Sequence, residues 1–595
     1  MRSADTVLAI IRERGERGLP LERVQHLLYN RELYLRAYAK LAPNKGALTP
    51  GSTAETADGM SLEKIDRLIE DLRSRRFRWT PVRRVMIPKV NGKRRPLGVT
   101  SWRDKLLQEV IRSILEAYYE PHFSDRSHGF RPGRGCHTAL TEIHRNWTGT
   151  RWFIEGDIAQ YFDTIDHEIL LRILGEKVHD PRFLRLIREL LEAGYLEDWR
   201  YHTTMSGTPQ GGVLSPLLSS IYLDQFDRFV ELELIPAWTR GEQRRKNPAY
   251  VKIAKRIHHA RRNGQKAEVK VWRKQLRQLP SLDPHDPDYR RLRYVRYADD
   301  WLIGFCGTRQ EAEAIKQKIG TWLREHLNLT LSEEKTLITH ATRGAAHFLG
   351  YELINQQSND RIALGRRSLN GSIGLRVPHD VITEQCRRYM TTGKPIHRTH
   401  LLEESDFSIV ARYQQEYRGV VQYYRLAVNV YALHTLYWVM RQSLLKTLAR
   451  KHKTRMAAMR RKYATTVETP EGKRLRCLQV RVDRDGREPL KAQFGGISLI
   501  RHPGAMLDDT PPVYRNRRTE LLTRLLANRC ELCGAEEDIQ VHHIRKLRDL
   551  TDKGGRERPP WVKRMAALQR KTLVVCHGCH RAIHTGRPPG PRHSE

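Results

Sequence analysis

The sequence has few acidic residues for its length and lacks long hydrophobic runs. Its 595 residues contain 106 Lys and Arg but only 68 Asp and Glu, which gives a formal net charge of +38. A surplus of positive charge this large is typical of proteins that bind nucleic acid or an anionic membrane surface. No apolar stretch approaches the ~20 residues that a membrane-spanning helix needs. We therefore expect nucleic acid as the partner and no membrane.

The sequence also lacks the marks of a secreted protein. Segment 1–17 mixes acids and bases and has no long apolar core before a small-residue cleavage site, so no signal peptide is predicted. Of only eight cysteines, four show no paired spacing: Cys136, Cys306, Cys386 and Cys477. We expect these four to be free thiols in a reducing compartment.

The most informative motif that is present is Tyr297-Ala298-Asp299-Asp300, flanked on both sides by aromatic and β-branched residues. This pattern predicts a β-hairpin with the acidic pair at its turn. Two adjacent carboxylates at a hairpin turn repel each other, and a divalent cation would relieve that repulsion. Oxygen-only ligands favour Mg²⁺. Taken alone, such a pair is more typical of a solvated surface turn.

A third carboxylate, Asp157, ends the apolar run 152–156 and is followed by aromatic residues. The run predicts a strand that presents Asp157 at its carboxyl end. One carboxylate from a strand and two from a hairpin can hold two metal ions about 3.5–4 Å apart, which is the arrangement used for in-line phosphoryl transfer.

With these aspartates in place, the chain resembles the reverse transcriptases encoded by group II introns, with a maturase domain and a C-terminal HNH endonuclease. The resemblance covers nearly the whole chain. Besides the acidic residues it rests on four blocks in the family's order: 85–98 (VMIPKVNGKRRPLG), 128–140 (HGFRPGRGCHTAL), 207–218 (GTPQGGVLSPLL) and 347–351 (HFLGY).

The resemblance implies roles for residues of the polymerase site. The three aspartates would be catalytic and would bind Mg²⁺. Lys89 and Arg95, on a fingers hairpin with a glycine turn, would hold the triphosphate of the incoming nucleotide, and cations suit a polyphosphate. Gln210 would line the nucleotide site, in a block whose Ser215 and Pro216 predict a helix start. Phe162 would lie under the sugar and exclude a 2′-hydroxyl, although an ordinary core position is the alternative.

Two further regions carry charge or helical periodicity. Segment 239–278 contains fourteen Lys and Arg against two Glu and predicts a helical insertion, either a solvated helix pair or a contact with an RNA backbone. Segment 411–450 predicts helices with a buried stripe: Tyr413, Tyr417, Val420, Val421 and Tyr424. The resemblance assigns the second region to the thumb and maturase domain, which grips the template–primer duplex and the intron RNA.

The last part of the chain contains two Cys-x2-Cys pairs separated by 42 residues: Cys530, Cys533, Cys576 and Cys579. Four thiolates in this spacing suit a structural, tetrahedral Zn²⁺. The separation is long for a simple zinc ribbon, so further structure is expected between the pairs.

Histidines lie between the cysteine pairs and after them, and here the resemblance is to the ββα-metal fold of HNH nucleases. It implies that His543 is the general base and that His542, His584 and His580 bind the catalytic Mg²⁺. One feature departs from the family, because Thr572 stands where many HNH sites have an Asn before Leu573. The alternative is a zinc-stabilised module that binds DNA without cutting it.

These observations predict a multidomain α+β protein, in which a right-hand polymerase of fingers and palm is followed by a helical thumb/maturase domain and a zinc-stabilised ββα-metal HNH domain. Asp508-Asp509-Thr510-Pro511-Pro512 predicts a break in the chain, and a DNA-binding region is assigned around it by position alone. The expected domains are an N-terminal helical extension (1–80), fingers and palm (81–370) with the basic insertion (239–278), thumb and maturase (371–461), a DNA-binding region (462–525) and the HNH endonuclease (526–595).

The resemblance implies RNA-directed DNA polymerase, maturase and HNH endonuclease activities that serve intron retrohoming by target-primed reverse transcription. The partners would be group II intron RNA in a ribonucleoprotein, target double-stranded DNA and dNTPs. The location would be the bacterial cytoplasm, associated with the nucleoid as a ribonucleoprotein, with an organellar location left open. Two alternatives are a splicing factor without catalysis and a reverse transcriptase of another lineage, such as a retron or a diversity-generating element.

Overall fold

The computed structural model describes residues 2–88, 92, 94–197, 200–202, 204, 206–207, 211–358, 362–363, 366–367, 369–469, 472–484, 487–507, 520–544, 559–568 and 570–586. The predicted mixture of helices and strands is confirmed. The α-helices are α1 (Ala4–Glu16), α2 (Val24–Leu27), α3 (Arg31–Leu41), α4 (Leu62–Arg73), α5 (Trp102–Tyr119), α6 (Cys136–Asn146), α7 (Tyr161–Thr164), α8 (His167–Gly175), α9 (Pro181–Leu191), α10 (Ser215–Phe229), α11 (Ile235–Ala237), α12 (Pro248–Arg262), α13 (Lys266–Leu276), α14 (Arg309–Leu327), α15 (His379–Arg387), α16 (Asp406–Tyr423), α17 (His434–Lys451), α18 (Met456–Tyr463), α19 (Glu520–Leu526), α20 (Pro560–Ala567) and α21 (His577–Thr585).

The strands form several small sheets and not one continuous sheet. They are β1 (Leu21–Glu22), β2 (Val82–Pro88), β3 (Arg94–Val99), β4 (Trp152–Gly156), β5 (Val178–His179), β6 (Tyr195–Glu197), β7 (Arg200–His202), β8 (Arg291–Tyr297), β9 (Asp300–Cys306), β10 (Leu337–His340), β11 (Ala346–Phe348), β12 (Tyr351–Asn355), β13 (Ile362–Ala363), β14 (Arg366–Arg367), β15 (Ile373–Arg376), β16 (Met390–Thr391), β17 (Lys394–Pro395), β18 (Ala464–Glu468), β19 (Arg474–Arg484), β20 (Arg487–Gly495), β21 (Ile539–His543) and β22 (Thr572–Cys576).

The palm is a four-stranded antiparallel sheet in the order β10-β4-β9-β8. Its central strands are apolar on both faces because helices and loops cover both sides. Phe153 and Ile154, neighbours on β4, belong to two different hydrophobic cores. Gly156 lacks a side chain at the point where the indole of Trp301 crosses β4, and a Cβ there would collide with the ring. A two-sided core of this kind holds the strand ends rigidly.

The fingers sheet has the order β3-β2-β6-β7. The predicted fingers hairpin is the antiparallel pair β2–β3, with Gly92 at φ +78° between the strands. A residue in this left-handed region favours glycine because other side chains crowd the backbone there. N-terminal helices α1 and α3 pack against α5, which continues the same hydrophobic core.

The basic insertion forms the pair of helices that the sequence predicts. Asn247 accepts a hydrogen bond from the Ala249 backbone N–H and caps α12, and Pro248 occupies the first turn. The guanidinium of Arg256 on α12 lies 4.8 Å from the ring centre of Trp272 on α13 and joins the two helices. Most of the other cations of this pair are exposed to solvent.

The thumb region contains α16, α17 and α18 with the three-stranded sheet β18-β19-β20 packed against them. The predicted aromatic stripe of α16 is buried, as expected for core residues, with Tyr413 and Tyr417 against Phe494 of β20. Among the described residues, no helix combines the length and the apolar character that a bilayer crossing requires.

Candidate active sites

The acidic motif lies at a two-residue β-hairpin turn, as predicted. Tyr297 pairs with Asp300, and Ala298 and Asp299 form the turn between β8 and β9, with Ala298 at φ +57°. Gly129 packs directly against the backbone of Ala298, and a Cβ at Gly129 would collide with it. Gly129 therefore allows block 128–140 to pack closely against the turn that carries Asp299.

The palm register brings Asp157 to the same end of the sheet. Gly156 pairs with Trp301 between the antiparallel strands β4 and β9, so the following residue, Asp157, lies level with Asp300. The Lys335 ammonium donates a hydrogen bond of 2.7 Å to a carboxylate oxygen of Asp157. The three aspartates thus share one cleft, and one of them already binds a cationic group.

The three carboxylates in this cleft repel one another. Desolvation and the negative charges of Asp299 and Asp157 raise the pKa of Asp300 to about 6. Desolvation and the charge of Asp157 also raise the pKa of Asp299. A divalent cation would reverse these shifts, and three carboxylates are a donor set that suits a hard ion such as Mg²⁺. The cleft therefore fits the metal-assisted phosphoryl chemistry expected of a polymerase.

A buried ion pair holds the acidic hairpin in place. Arg296 of β8 is 1% exposed and Asp227 of α10 is fully buried, and the guanidinium donates to both carboxylate oxygens. Arg296 also donates to the carbonyl oxygen of Ala298 at 2.9 Å, and the Tyr294 hydroxyl donates to Asp227 at 2.7 Å. The hairpin turn is thereby tied to the helix beneath the sheet.

The nucleotide-site residues are only partly within the described chain. Lys89 and Gln210 lie outside the described residues. Arg95 lies on β3 of the fingers hairpin, and its positive charge acts on Asp299. Phe162 is half-buried and lines a cavity with Arg84 and other residues of the fingers sheet, whereas its neighbour Tyr161 is buried. Phe162 therefore packs partly against the core and partly lines this cavity.

The segment that resembles the primer grip forms the β11–β12 hairpin. Leu349 and Gly350 form its turn, both with positive φ. The Tyr423 hydroxyl donates to the Leu349 carbonyl at 2.7 Å, and the Tyr424 hydroxyl donates to the Gly350 carbonyl at 3.0 Å. The end of α16 thus anchors this turn to the thumb.

In the tail, the four thiols of Cys530, Cys533, Cys576 and Cys579 lie within 4.8 Å of one another. The sulfur atoms of Cys533 and Cys576 are 3.6 Å apart. A tetrahedral ion with Zn–S bonds of about 2.3 Å requires S–S separations of about 3.8 Å, so the geometry fits zinc. Burial opposes ionisation of Cys530, but backbone N–H groups of Cys533, Cys576 and Leu532 stabilise its thiolate and lower its pKa to about 7.

A second cluster of side chains lies between β21 and α21, the two elements of the tail that contain the predicted nuclease residues. His542 of β21 and His580 and His584 of α21 lie with Asp58 so that one ligand atom of each falls within 4.8 Å of the others. Asp58 comes from the loop before α4, far away in sequence. Imidazoles and a carboxylate fit a divalent metal.

His543 points away from this cluster because successive residues of a strand face opposite sides. Its Nε2 is 2.9 Å from the Tyr38 hydroxyl on α3, and its side chain is buried. Burial lowers the pKa of His543 to about 4, so its imidazole is neutral at pH 7. Thr572, which stands in place of the family Asn, is the residue opposite His543 in the β21–β22 pair.

Some residues that shape these sites carry no signal in the sequence. Lys335, Asp227, Asp58 and Tyr38 contact functional residues that lie from 69 to more than 500 positions away along the chain. None of them belongs to a spacing pattern. Repeated spacing reports on one helix or strand, so it cannot reveal a partner from another part of the fold.

Three family descriptions match successive parts of the chain. They are reverse transcriptase (RNA-dependent DNA polymerase) over residues 87–353, type II intron maturase over residues 374–477, and AI2M/AI1M-like HNH endonuclease over residues 530–580. The reverse transcriptase match includes the three aspartates, and the endonuclease match includes both cysteine pairs.

Relatives match over nearly the full length. The chain is 38% identical over 589 residues to the group II intron-encoded protein LtrA of Lactococcus lactis subsp. cremoris, a match that covers 94% of this chain and 95% of the relative. It is 34% identical over 578 residues to the uncharacterized 91 kDa protein in the cob intron of Schizosaccharomyces pombe, a match that covers 94% of this chain and 69% of the relative. It is 31% identical over 595 residues to the putative COX1/OXI3 intron 2 protein of Saccharomyces cerevisiae, a match that covers 96% of this chain and 67% of the relative. The chain therefore belongs to the family of group II intron-encoded proteins, with reverse transcriptase, maturase and HNH endonuclease domains.

Proposed function

We propose that the protein acts in a ribonucleoprotein with a group II intron RNA and serves retrohoming by target-primed reverse transcription. The intron RNA inserts into one strand of a target duplex, the HNH domain cuts the other strand, and the new 3′-hydroxyl primes synthesis of DNA on the intron template. The main support is that one chain carries both an acidic polymerase cleft and a histidine–cysteine nuclease tail.

In the polymerase site, we assign the three carboxylates to the binding of divalent metal, with Mg²⁺ as the ion that suits oxygen donors. Bound metal would lower the pKa of the primer 3′-hydroxyl and neutralise charge on the triphosphate. Arg95, and with it Lys89 and Gln210, would bind and orient the incoming dNTP. Phe162 would exclude a 2′-hydroxyl from the cavity that its ring lines.

In the tail, we assign Zn²⁺ to the four cysteines and a catalytic divalent ion to His542, His580 and His584. His543 would accept the proton of the attacking water, which its neutral imidazole can do at pH 7. We predict Mg²⁺ as the catalytic ion of the nuclease reaction, although imidazole-rich sites favour first-row transition ions.

For RNA binding, we assign a contact surface to the basic insertion. Nine of its lysines and arginines lie exposed on α12 and α13 with only one acidic residue, Glu268, beside them: Lys252, Lys255, Arg256, Arg261, Arg262, Lys266, Lys270, Arg273 and Lys274. Phosphate neutralisation by such a surface supplies affinity without sequence specificity. The domain limits given above and a location with the bacterial nucleoid are part of the same proposal.

One observation favours a second candidate function for the tail. His543 is hydrogen-bonded to Tyr38 and is 9% exposed, so in this arrangement its ring has little access to water or DNA. The tail would then be a zinc-stabilised module that binds DNA while the polymerase and the intron RNA perform the chemistry.

A reconstituted particle tests both candidates. Full-length protein is assembled with its intron RNA, given Mg²⁺, dNTPs and a confirmed target duplex labelled on both strands, and analysed by sequencing gel. We expect insertion of RNA into one strand, cutting of the other strand, and DNA copied from the intron. Cutting of only the RNA-attacked strand would favour the DNA-binding module, and absence of DNA synthesis would favour a splicing factor. Equal binding to an unrelated structured RNA would point to another reverse transcriptase lineage.

A further inference from the structure

The loop before α4 is joined to the edge of the nuclease strand β21. The Gly59 backbone N–H donates to the Val541 carbonyl, and the Val541 N–H donates to the Met60 carbonyl, both at 2.9 Å. The Asp58 carboxylate also accepts the backbone N–H of His543 at 2.7 Å. These bonds fix the position of Asp58 beside the histidine cluster without any help from the histidine side chains.

The four side chains have the spacing of a coordination shell. Asp58 Oδ2 lies 2.9 Å from His584 Nε2, and Asp58 Oδ1 lies 3.2 Å from His580 Nε2 and 3.5 Å from His542 Nδ1. The Nε2 atoms of His580 and His584 are 3.2 Å apart. Ligands placed tetrahedrally about 2.0–2.1 Å from an ion are separated by about 3.3–3.4 Å. The observed separations lie on both sides of this value.

The buried imidazole of His542 lacks the hydrogen bonds that a buried polar group normally makes. Its side chain is 5% exposed, its Nε2 has no hydrogen-bond partner among the described residues, and its Nδ1 has only a long contact of 3.5 Å with the Asp58 carboxylate. A buried polar group without a partner costs about 1–3 kcal/mol, so such groups are rare unless something else binds them. Nδ1 of His542 faces Asp58, at the position where a shared ion would lie.

His580 is held in the tautomer that a metal requires. Its Nδ1 lies 2.9 Å from the Gln540 side-chain oxygen, and the Gln540 amide nitrogen lies 3.1 Å from Nδ1 of His577. With this amide orientation, Nδ1 of His580 donates its proton to Gln540. Nε2 then carries a lone pair directed at Asp58 and His584. Metal-binding histidines are oriented in this way by a hydrogen bond at the other nitrogen.

We propose that Asp58 is a fourth protein ligand of the nuclease metal ion, so that this site is built jointly by the N-terminal region and the tail. The inference rests on the proposed nuclease site formed by the three histidines. Three imidazoles and one carboxylate favour a first-row transition ion such as Zn²⁺ over Mg²⁺. An ion bound by all four side chains links segment 58–60 to β21 and leaves no open tetrahedral position. In the docked arrangement the ion therefore joins the two regions and has no position for an attacking water.

Metal titration of the full-length protein tests this inference directly. Protein with Zn²⁺ retained in its cysteine site is titrated with Co²⁺, whose visible absorption reports tetrahedral nitrogen and oxygen ligands. Asp58→Asn keeps the shape of the side chain and an oxygen for the His543 N–H. We expect it to lower Co²⁺ affinity at least tenfold. The matched control is Asp66→Asn, because Asp66 is half-exposed and pairs with Arg31 away from the histidine cluster, and the Co²⁺ affinity of this variant should stay within twofold of wild type.

Two further variants separate the possible failures. His584→Ala should abolish Co²⁺ binding at this site, and wild-type affinity in this variant would overturn the proposed nuclease metal site itself. Wild-type affinity in Asp58→Asn alone would overturn only the role of Asp58. If Asp58→Asn also loses the cysteine-bound Zn²⁺, Asp58→His decides. Recovered Co²⁺ binding by the new imidazole supports a ligand at this position, and continued loss contradicts it.

Hydrogen exchange provides a measurement that does not depend on absorption. If the ion links the two regions, Co²⁺ should slow exchange of the Gly59 and Val541 amides, which form the bonds between segment 58–60 and β21. The slowing should be absent in Asp58→Asn and present in Asp66→Asn. Unchanged exchange in the wild-type protein at saturating Co²⁺ would contradict the proposal.

Discussion

The polymerase cleft and the nuclease tail bring their candidate metal ligands together in different ways. The cleft takes its three carboxylates from two adjacent antiparallel strands of one sheet, where the pairing register alone brings them level. The tail combines a strand and a helix with a carboxylate that lies 485 positions before His543. Ligands placed by one sheet can be recognised from motifs, whereas a ligand placed by docking of distant regions cannot.

The two sites also differ in charge. The cleft concentrates negative charge, and desolvation together with repulsion from Asp299 and Asp157 raises the pKa of Asp300 to about 6. The tail cluster combines neutral imidazoles with a single carboxylate. Under our proposals, a bound cation would relieve repulsion in the cleft, whereas in the tail it would bind the buried imidazole of His542 and join two parts of the fold. Loss of a ligand should accordingly remove catalysis in the first case and structure in the second.

The largest expected effect separates the two chemistries. Asp299→Asn should lower primer extension on an RNA template by about 10³-fold or more, because several kcal/mol of charge stabilisation are lost. Binding of intron RNA and cutting of the second DNA strand should be unaffected. The control is Asp483→Asn, which removes a carboxylate that is 79% exposed on β19. Near-normal extension by Asp299→Asn would remove this residue from the polymerase site.

The reciprocal change should affect folding of the tail. Cys530→Ser removes one of the four thiols, and loss of a structural zinc site can unfold a small domain outright. Limited proteolysis should release the tail from this variant and leave the polymerase region intact and active. His543→Ala should stop second-strand cutting but leave the tail resistant to protease. Equal protease resistance of wild type and Cys530→Ser would mean that the tail is stable without zinc.

The buried ion pair beneath the acidic hairpin gives an effect of intermediate size. Asp227→Asn leaves the Arg296 guanidinium buried and incompletely paired, which should lower the free energy of unfolding by about 3–5 kcal/mol. Arg481 and Asp483 form an exposed pair, and breaking it should cost less than about 1 kcal/mol. Denaturant titration of both variants measures the difference. Equal costs would show that the hairpin does not depend on the buried pair.

The thumb offers a pH-dependent comparison that needs no metal. Burial raises the pKa of Asp406, but hydrogen bonds from Lys451, Tyr463 and His452 outweigh it and leave the pKa at about 2. Because this pKa lies below the unfolded value of about 4, the carboxylate stabilises the fold above pH 4, and the benefit is lost as pH falls towards 2. Asp406→Asn should cost about 1–2 kcal/mol at pH 7, a range that allows for solvent screening of the partly exposed carboxylate. The cost should shrink from pH 5 to pH 3, as measured by denaturant titration, and a constant cost would contradict the network.

The smallest expected effect concerns nucleotide choice. Phe162→Ala should raise the efficiency of ribonucleotide incorporation relative to deoxynucleotide by about tenfold, because a 2′-hydroxyl would no longer meet the ring; this corresponds to about 1.4 kcal/mol. Tyr161→Phe is a suitable control, since Tyr161 is buried and its hydroxyl donates to the Ser219 carbonyl. Single-nucleotide extension with both nucleotide types measures the ratio. An unchanged ratio in Phe162→Ala would assign the ring to packing alone.

The elements that the sequence predicted best are those whose signal is local. The acidic hairpin, the helix start at Ser215, the basic helix pair and the buried stripe of α16 follow from turn residues, capping residues and periodicity. The domain limits and the individual site roles remain predictions. The limit placed near residue 461 falls just before β18, whose sheet packs on α16, so residues on both sides of it share one core.

By itself, the sequence determined which chemical groups the protein has and which neighbouring groups act together: the aspartate pair with its strands, the two cysteine pairs and the i, i+4 histidines. Only the tertiary structure decided that Asp227 supports the hairpin, that Lys335 binds Asp157, and that Asp58 closes the histidine cluster. The physical reason is that spacing reports the geometry of one element, whereas these contacts arise from packing between elements that are distant in the chain.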